Sequence, residues 1–142
     1  MSQADVDVVV DQFAATNERD FARAMDIYAE DVVLVVGEGW GITAGRYEGK
    51  AAVGEWFGDW FREFADDYRF EIIESRDLGG GVVFLDAKHG GSGRASGAAI
   101  GSESGYLYRV VDGRITQVQL FVTPADALEA ASLPEWSEPE TD

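Results

Sequence analysis

Apolar residues recur along this chain with two different periods, and the change of period divides it. Val6, Val9, Val10 and Phe13 recur at helical spacing behind Ser2 and Asp5, which resemble a capping box with Asp in the place of Glu. A helix is predicted over residues 4 to 16, and Asn17 and Glu18 break it. Asp20 caps a second helix with Phe21, Ala24, Met25 and Tyr28 on its inner face, ended by Ala29-Glu30-Asp31. Val32 to Val36 reads as a short apolar strand, and residues 37 to 45 as a glycine-rich loop carrying Glu38 and Trp40. A third helix is predicted from residue 50 to 64; its stripe of Val53, Trp56, Phe57, Trp60, Phe61 and Phe64 is the most aromatic in the chain.

From residue 68 the period becomes two. Tyr68 to Ser75 reads as a strand, Leu78 to Gly81 as a hairpin loop, and residues 82–89, 105–111 and 114–122 as three antiparallel strands. Asp112-Gly113 is a strong hairpin signal, because a type I′ turn needs positive φ at both central positions. Ser96-Gly97 is a weaker turn candidate, and Gly90, Gly91 and Gly93 suggest a bulge or bend. Two-residue turns would set Leu107 beside Val118 and Asp86 beside Leu107. One face then carries Phe84, Asp86, Lys88, Glu103, Leu107, Arg109, Val118, Leu120 and Val122. The other carries Leu85, His89, Ser104, Tyr106, Tyr108, Gln117, Gln119 and Phe121. Both faces are half apolar, so the sheet wants two covers, one of which is expected to be a second copy of the chain. Thr123 and Pro124 start a short helix to about residue 131, and the acidic residues 132–142 are expected to form a loose tail behind a single domain, 1–131. The sum is an α+β fold in which a long aromatic helix lies across a bent sheet and encloses a cone.

Composition narrows the function more than the fold. The 142 residues are 46% hydrophobic and 12% aromatic, enough for one real core. With 0 cysteines, thiol catalysis, disulfides and cysteine-ligated metals are excluded. The net charge of −16 argues against nucleic acid and anionic membrane partners, which need a basic footprint. No apolar run is long enough to span a membrane and no signal peptide is evident, so a cytoplasmic protein without a cofactor is the expectation.

Several stretches carry a family likeness: Tyr28-Ala29-Glu30-Asp31-Val32, Tyr47-Glu48-Gly49-Lys50-Ala51-Ala52-Val53, Asp112-Gly113-Arg114-Ile115 and Ala127-Leu128-Glu129-Ala130. In their order and spacing the chain resembles the SnoaL-like, polyketide cyclase-like branch of the nuclear transport factor 2-like superfamily, which also holds the ketosteroid isomerases. The resemblance implies an α+β cone around a small-molecule pocket, often in dimers joined through the convex sheet faces. It implies little about chemistry, since the family includes isomerases, cyclases, dehydratases, hydrolases and inactive members. The positions where ketosteroid isomerases resemble this chain but place their acid–base groups hold Val36, Gln12 or Phe13, and Leu107; the cyclase aspartate position holds Thr123.

Candidate chemistry therefore comes from the residues themselves. Asp86, Glu38 and Arg109 are the candidate catalytic groups. By the family's orientation the expected pocket is lined by Tyr28, Trp40, Trp56, Trp60, Phe84, Lys88, Glu103, Leu107, Val118 and Leu120. His89, Tyr106, Tyr108, Gln117, Gln119 and Phe121 fall on the expected dimer face, where His89, the one histidine, is either a polar interface contact or a pocket acid/base. Trp40 and Glu38 form either a lid over a ligand or an anchor for the loop. The glycine run 90–97 lacks the GK[ST] ending and the following helix of a phosphate loop. The expected partners are a hydrophobic small molecule and a second copy of the chain, with no metal site.

Overall fold

Helix α1 (Gln3–Asn17) opens the computed structural model, which describes residues 3–64, 66–93, 97 and 99–137. Then follow α2 (Phe21–Asp26), β1 (Tyr28–Val36), a 3-10 turn (Glu38–Thr43), β2 (Gly45–Glu48), α3 (Lys50–Arg62), β3 (Arg69–Gly79), β4 (Val82–Ser92), β5 (Ala99–Val111), β6 (Arg114–Phe121), α4 (Pro124–Ala131) and α5 (Pro134–Ser137). The six strands form one curved sheet in the order β2-β1-β6-β5-β4-β3. Neighbours are antiparallel except β1 and β6, which run parallel. This is the α+β cone expected from the sequence.

Local chemistry explains most boundaries. Asp20 accepts a hydrogen bond from Arg23 N and starts α2. Asp112 and Gly113 have φ of 52° and 79°, the conformation their turn requires. Thr123 Oγ1 accepts from Asp126 N and Pro124 opens α4.

Other boundaries differ from the sequence expectation. The second helix ends at Asp26, and Tyr28 to Asp31 belong to β1, because Ile115 N donates to Ile27 O and Tyr28 pairs with Ile115. Gly45, the last residue of the expected loop, opens β2, which is held against Val33–Val36. No bulge occurs at Gly90 and Gly91: β4 pairs with β5 in unbroken register from Val82↔Arg109 to Ser92↔Ala99. Phe84, rather than Asp86, therefore sits opposite Leu107; of the proposed turn, Ser96 lies outside the described residues. A bulge occurs instead between Arg109/Val110 and Ile115/Gln117, with Thr116 as the extra residue. It sets Val118 opposite Tyr108 and Leu120 opposite Tyr106.

These registers give two cores. The concave face holds Val83, Leu85, Ala87, Tyr106, Tyr108, Val118 and Leu120 against Val6, Val9 and Phe13 of α1 and Val53 and Trp56 of α3. The convex face holds Val82, Phe84 and Leu107 against Ala127 and Trp136. Helices α4 and α5 thus supply a second cover from within the chain. A Cβ on Gly105 would come within 2.7 Å of Pro124 Cα and of Thr123 O, so only glycine lets α4 seat this close. Within the expected tail, Pro134–Ser137 form α5, Trp136 is 2% exposed, and its Nε1 donates to Gln119 Oε1.

Candidate functional site

The cone ends in a small chamber between the sheet and the helices. Gln12, Phe13 and Thr16 of α1, Trp56, Phe57 and Trp60 of α3, Trp40, Tyr68, Phe70, Tyr106, Tyr108 and Leu120 line it, and it encloses about 30 Å³, room for a water-sized group. Gln12, Thr16 and Phe57 also border an open groove of about 650 Å³ between α1–α2 and α3. Trp40 and Trp60 border a second groove, of about 490 Å³, that includes His89, Ser102 and Ser104. The chamber is thus a narrow waist that shares lining residues with both wider grooves.

Aromatic stacking builds the waist. The helical stripe of α3 sets Trp56 and Trp60 one turn apart, with ring centroids 5.6 Å apart and planes 10° from parallel. Trp40 packs 5.2 Å from Trp60 on one side and stacks on His89 at 5.5 Å and 16° on the other. Two of these indoles are unpartnered: Nε1 of Trp40 and Nε1 of Trp56 are buried and meet no acceptor among the described residues. Burial pushes the Tyr106 phenol far above its ordinary value. Its buried oxygen, too, meets no hydrogen-bond partner among the described residues.

Beside the unpartnered indoles runs a chain of satisfied polar groups. Trp60 Nε1 donates to Tyr68 Oη over 3.0 Å, and Tyr68 Oη lies 2.8 Å from His89 Nδ1. His89 Nε2 lies 3.1 Å from Ser104 Oγ and 3.0 Å from Ser102 Oγ. Tyr68 Oη accepts from the indole, and His89 Nδ1 is the one acceptor within its reach among the described residues, so the arrangement that leaves no phenolic proton idle has Tyr68 donate to Nδ1 and the imidazole proton on Nε2. Burial lowers the His89 value, which keeps the ring neutral, and raises that of Tyr68 well above a free phenol.

The backbone around Tyr68 is held from three sides. Asn17 exchanges two hydrogen bonds of 2.9 Å with the backbone of Phe70. Arg19 donates to the carbonyls of Thr16, Asp66 and Tyr68. Asp67 accepts from the N–H and hydroxyl of Ser92, which holds its carboxyl below the usual range. A Cβ on Gly91 would lie 2.6 Å from Tyr68 Cα, so the glycine run is a platform for close approach.

Of the expected pocket residues, Trp40, Trp56, Trp60 and Leu120 line the chamber. Val118 lies in the concave core, and so does Tyr28, beside Phe57. Phe84, Asp86, Lys88, Glu103, Leu107 and Arg109 are on the convex face, the reverse of the expectation. The family's orientation decided that choice, although this face carries the charges of β4 and β5. Among the candidate catalytic groups, Arg109 is 3% exposed and donates to the carbonyls of Gly80, Glu135 and Trp136, with its guanidinium over the Trp136 ring. Arg109 therefore anchors α5. Asp86 sits beside Glu103 across from Glu74, where burial and the Glu103 carboxyl raise it to about 6. The side chain of Glu38 lies outside the described residues.

The expected interface set divides as well. His89, Tyr106 and Tyr108 point into the cone, whereas Gln117, Gln119 and Phe121 are on the convex side, the last two beneath α4 and α5. Tyr68 was missed because it opens a strand after two acidic residues. In the fold it lies against the glycine run, its Cα beside Gly91. Among the described residues no group of three or more His, Asp or Glu side chains could hold a metal, and no helix is long and apolar enough to cross a membrane.

Solved structures share this architecture. TerC, co-crystallized with polyporic acid, is 18% identical with a TM-score of 0.74, covering 89% of this chain and 97% of its own. A nuclear transport factor 2-like protein of Burkholderia thailandensis is 22% identical with a TM-score of 0.73, covering 89% and 98%. A Sinorhizobium meliloti protein proposed to be a polyketide cyclase is 26% identical with a TM-score of 0.63, covering 80% and 93%. No curated protein sequence matches the chain. The profile of the SnoaL-like domain matches residues 9–118, from the middle of α1 through the bulged β5–β6 hairpin, and the chain belongs to that family.

Proposed function

We propose that this protein binds a small, flat, oxygen-bearing organic molecule, with its leading end in the chamber and its remainder in the groove between α1–α2 and α3. The observation that carries this reading is the pair of buried indole N–H groups on Trp40 and Trp56, two residues that line the aromatic chamber, which meet no acceptor among the described residues. An unsatisfied buried donor costs about 1–3 kcal/mol, which a ligand oxygen would remove. A lining of aromatic rings, with Trp56 and Trp60 stacked in it, favours a flat partner, and the groove leaves room for one larger than the chamber alone. The neighbours support the same class: TerC was crystallized with polyporic acid, and the Sinorhizobium meliloti protein is proposed to be a polyketide cyclase. Acid/base chemistry on such a hydrophobic metabolite is the reaction class that suits a chamber lined by phenols and indoles with an imidazole bonded behind one of them.

The test is tryptophan fluorescence with 2-tetralone, a flat bicyclic ketone. Saturable quenching is expected, and Trp56→Phe should weaken it about fivefold, the value of one neutral hydrogen bond. Absence of saturable quenching overturns the reading.

A further inference from the structure

We infer that Tyr68, His89 and Ser102 form a proton relay that carries a proton between a molecule held in the chamber and the open groove outside. The inference rests on the pocket reading above and adds to it the group that reacts. Tyr68 is the one member that lines the chamber. Its hydroxyl is 2.8 Å from His89 Nδ1, and His89 Nε2 is 3.0 Å from Ser102 Oγ. Ser102 is exposed and borders two open grooves, of about 490 and 710 Å³. His89 between them is buried, shielded from the chamber by Trp40 stacked on its face.

The donor pattern gives the wire a direction. Trp60 fills one lone pair of the Tyr68 oxygen, and Nδ1 is the one acceptor the phenolic proton reaches among the described residues, so the resting wire is Tyr68 O–H to Nδ1 and Nε2–H to Ser102. One lone pair on Tyr68 Oη remains for a proton arriving from the chamber.

In the outward step a C–H bond beside the substrate carbonyl breaks and the Tyr68 oxygen takes the proton. The phenolic O–H breaks as N–H forms at Nδ1. The Nε2–H proton passes to the Ser102 hydroxyl, which releases its own to water. The electron pair left on carbon moves to the carbonyl oxygen, where a Trp56 N–H can meet it. The imidazole ends neutral with its tautomer exchanged, and the reverse step returns a solvent proton. The substrate class is therefore an enolisable aryl-flanked ketone or its hydroxylated equivalent. Tyr68 is the catalytic group; His89 and Ser102 act through it.

The experiment follows exchange of the C1 protons of 2-tetralone for deuterium in D2O by proton NMR, beside its binding by fluorescence. The full chain should speed exchange at least tenfold over buffer. Tyr68→Phe, which keeps the ring, and His89→Gln should each abolish the gain while binding stays within threefold. A single histidine also gives one unambiguous pair of nitrogen-15 resonances, expected to report a neutral Nε2–H ring at pH 7. Quenching without faster exchange, exchange that survives Tyr68→Phe, or an Nδ1–H ring each overturn the relay alone. Absence of quenching overturns the pocket reading and the relay with it. If His89→Gln fails to fold, Tyr68→Phe decides.

Discussion

His89 and Asp86 lie three residues apart on β4 and face opposite ways, into the cone and out onto the convex sheet. His89 has a partner on each ring nitrogen and is held neutral by burial. Asp86 has one buried oxygen without a partner, and it rises to about 6 through burial and the carboxyl groups of Glu103 and Glu74, against the pull of Lys88. Both sides of the strand are apolar at the centre, since Phe84 and Leu85 are 1% and 0% exposed. Hydrophobic fill therefore does not distinguish pocket from back; the treatment of charge does. The pocket side carries polar groups that need no counterion, and the back collects like charges at the rim of its core.

The strongest challenge to this comparison is to empty one side at a time. Phe84→Ala should cost about 3–5 kcal/mol and Leu85→Ala about 2–5 kcal/mol in urea denaturation, two cores of equal standing. A loss below ~1 kcal/mol for Phe84→Ala would reduce α4 and α5 to surface decoration. Next, Gly105→Ala should cost about 1–3 kcal/mol by forcing α4 off the sheet. Gly101→Ala on the same strand should be nearly neutral, since its nearest neighbour is 3.5 Å away. Thr123→Ala removes the α4 cap and should cost about 1 kcal/mol.

The smallest effect is in pH, where the two residues pull apart. The folded value of His89 lies below the ordinary 6.5, so its stabilisation holds above that pH and is lost as pH falls through the folded value. Asp86 is raised from 3.8 to about 6, so its contribution is fully present below 3.8 and is lost as pH rises through about 6. Thermal melts of His89→Gln should lack the acid-side decline, and those of Glu103→Gln should lack part of the decline between pH 4 and 7. Identical profiles for both variants would erase the distinction.

Much of the fold could be read from residues that act locally. The Asp112-Gly113 turn, the Thr123-Pro124 start and the aromatic stripe of α3 each depend on their own few neighbours. The site was less legible because faces depend on register, and register depends on distant pairings. Thr116 adds one residue to β6 and moves Val118 and Leu120 across the sheet; nothing in Arg114–Phe121 marks that bulge. Trp136 looked like part of a polar tail because its partners, Arg109 and Gln119, are far away in sequence. The faces of β4 and β5 could have been assigned from charge, since Asp86, Lys88, Glu103 and Arg109 share one of them.

The clasp of Arg109 and Trp136 has a consequence for how the protein is made. By the time β6 leaves the ribosome, every strand of the cone is present and the inner core can close. The outer core cannot, because Phe84 and Leu107 wait for residues that emerge later. A chain truncated after Phe121 would therefore display a greasy strip on an otherwise finished sheet, and chaperone capture should be strong for that fragment and end once Trp136 is present.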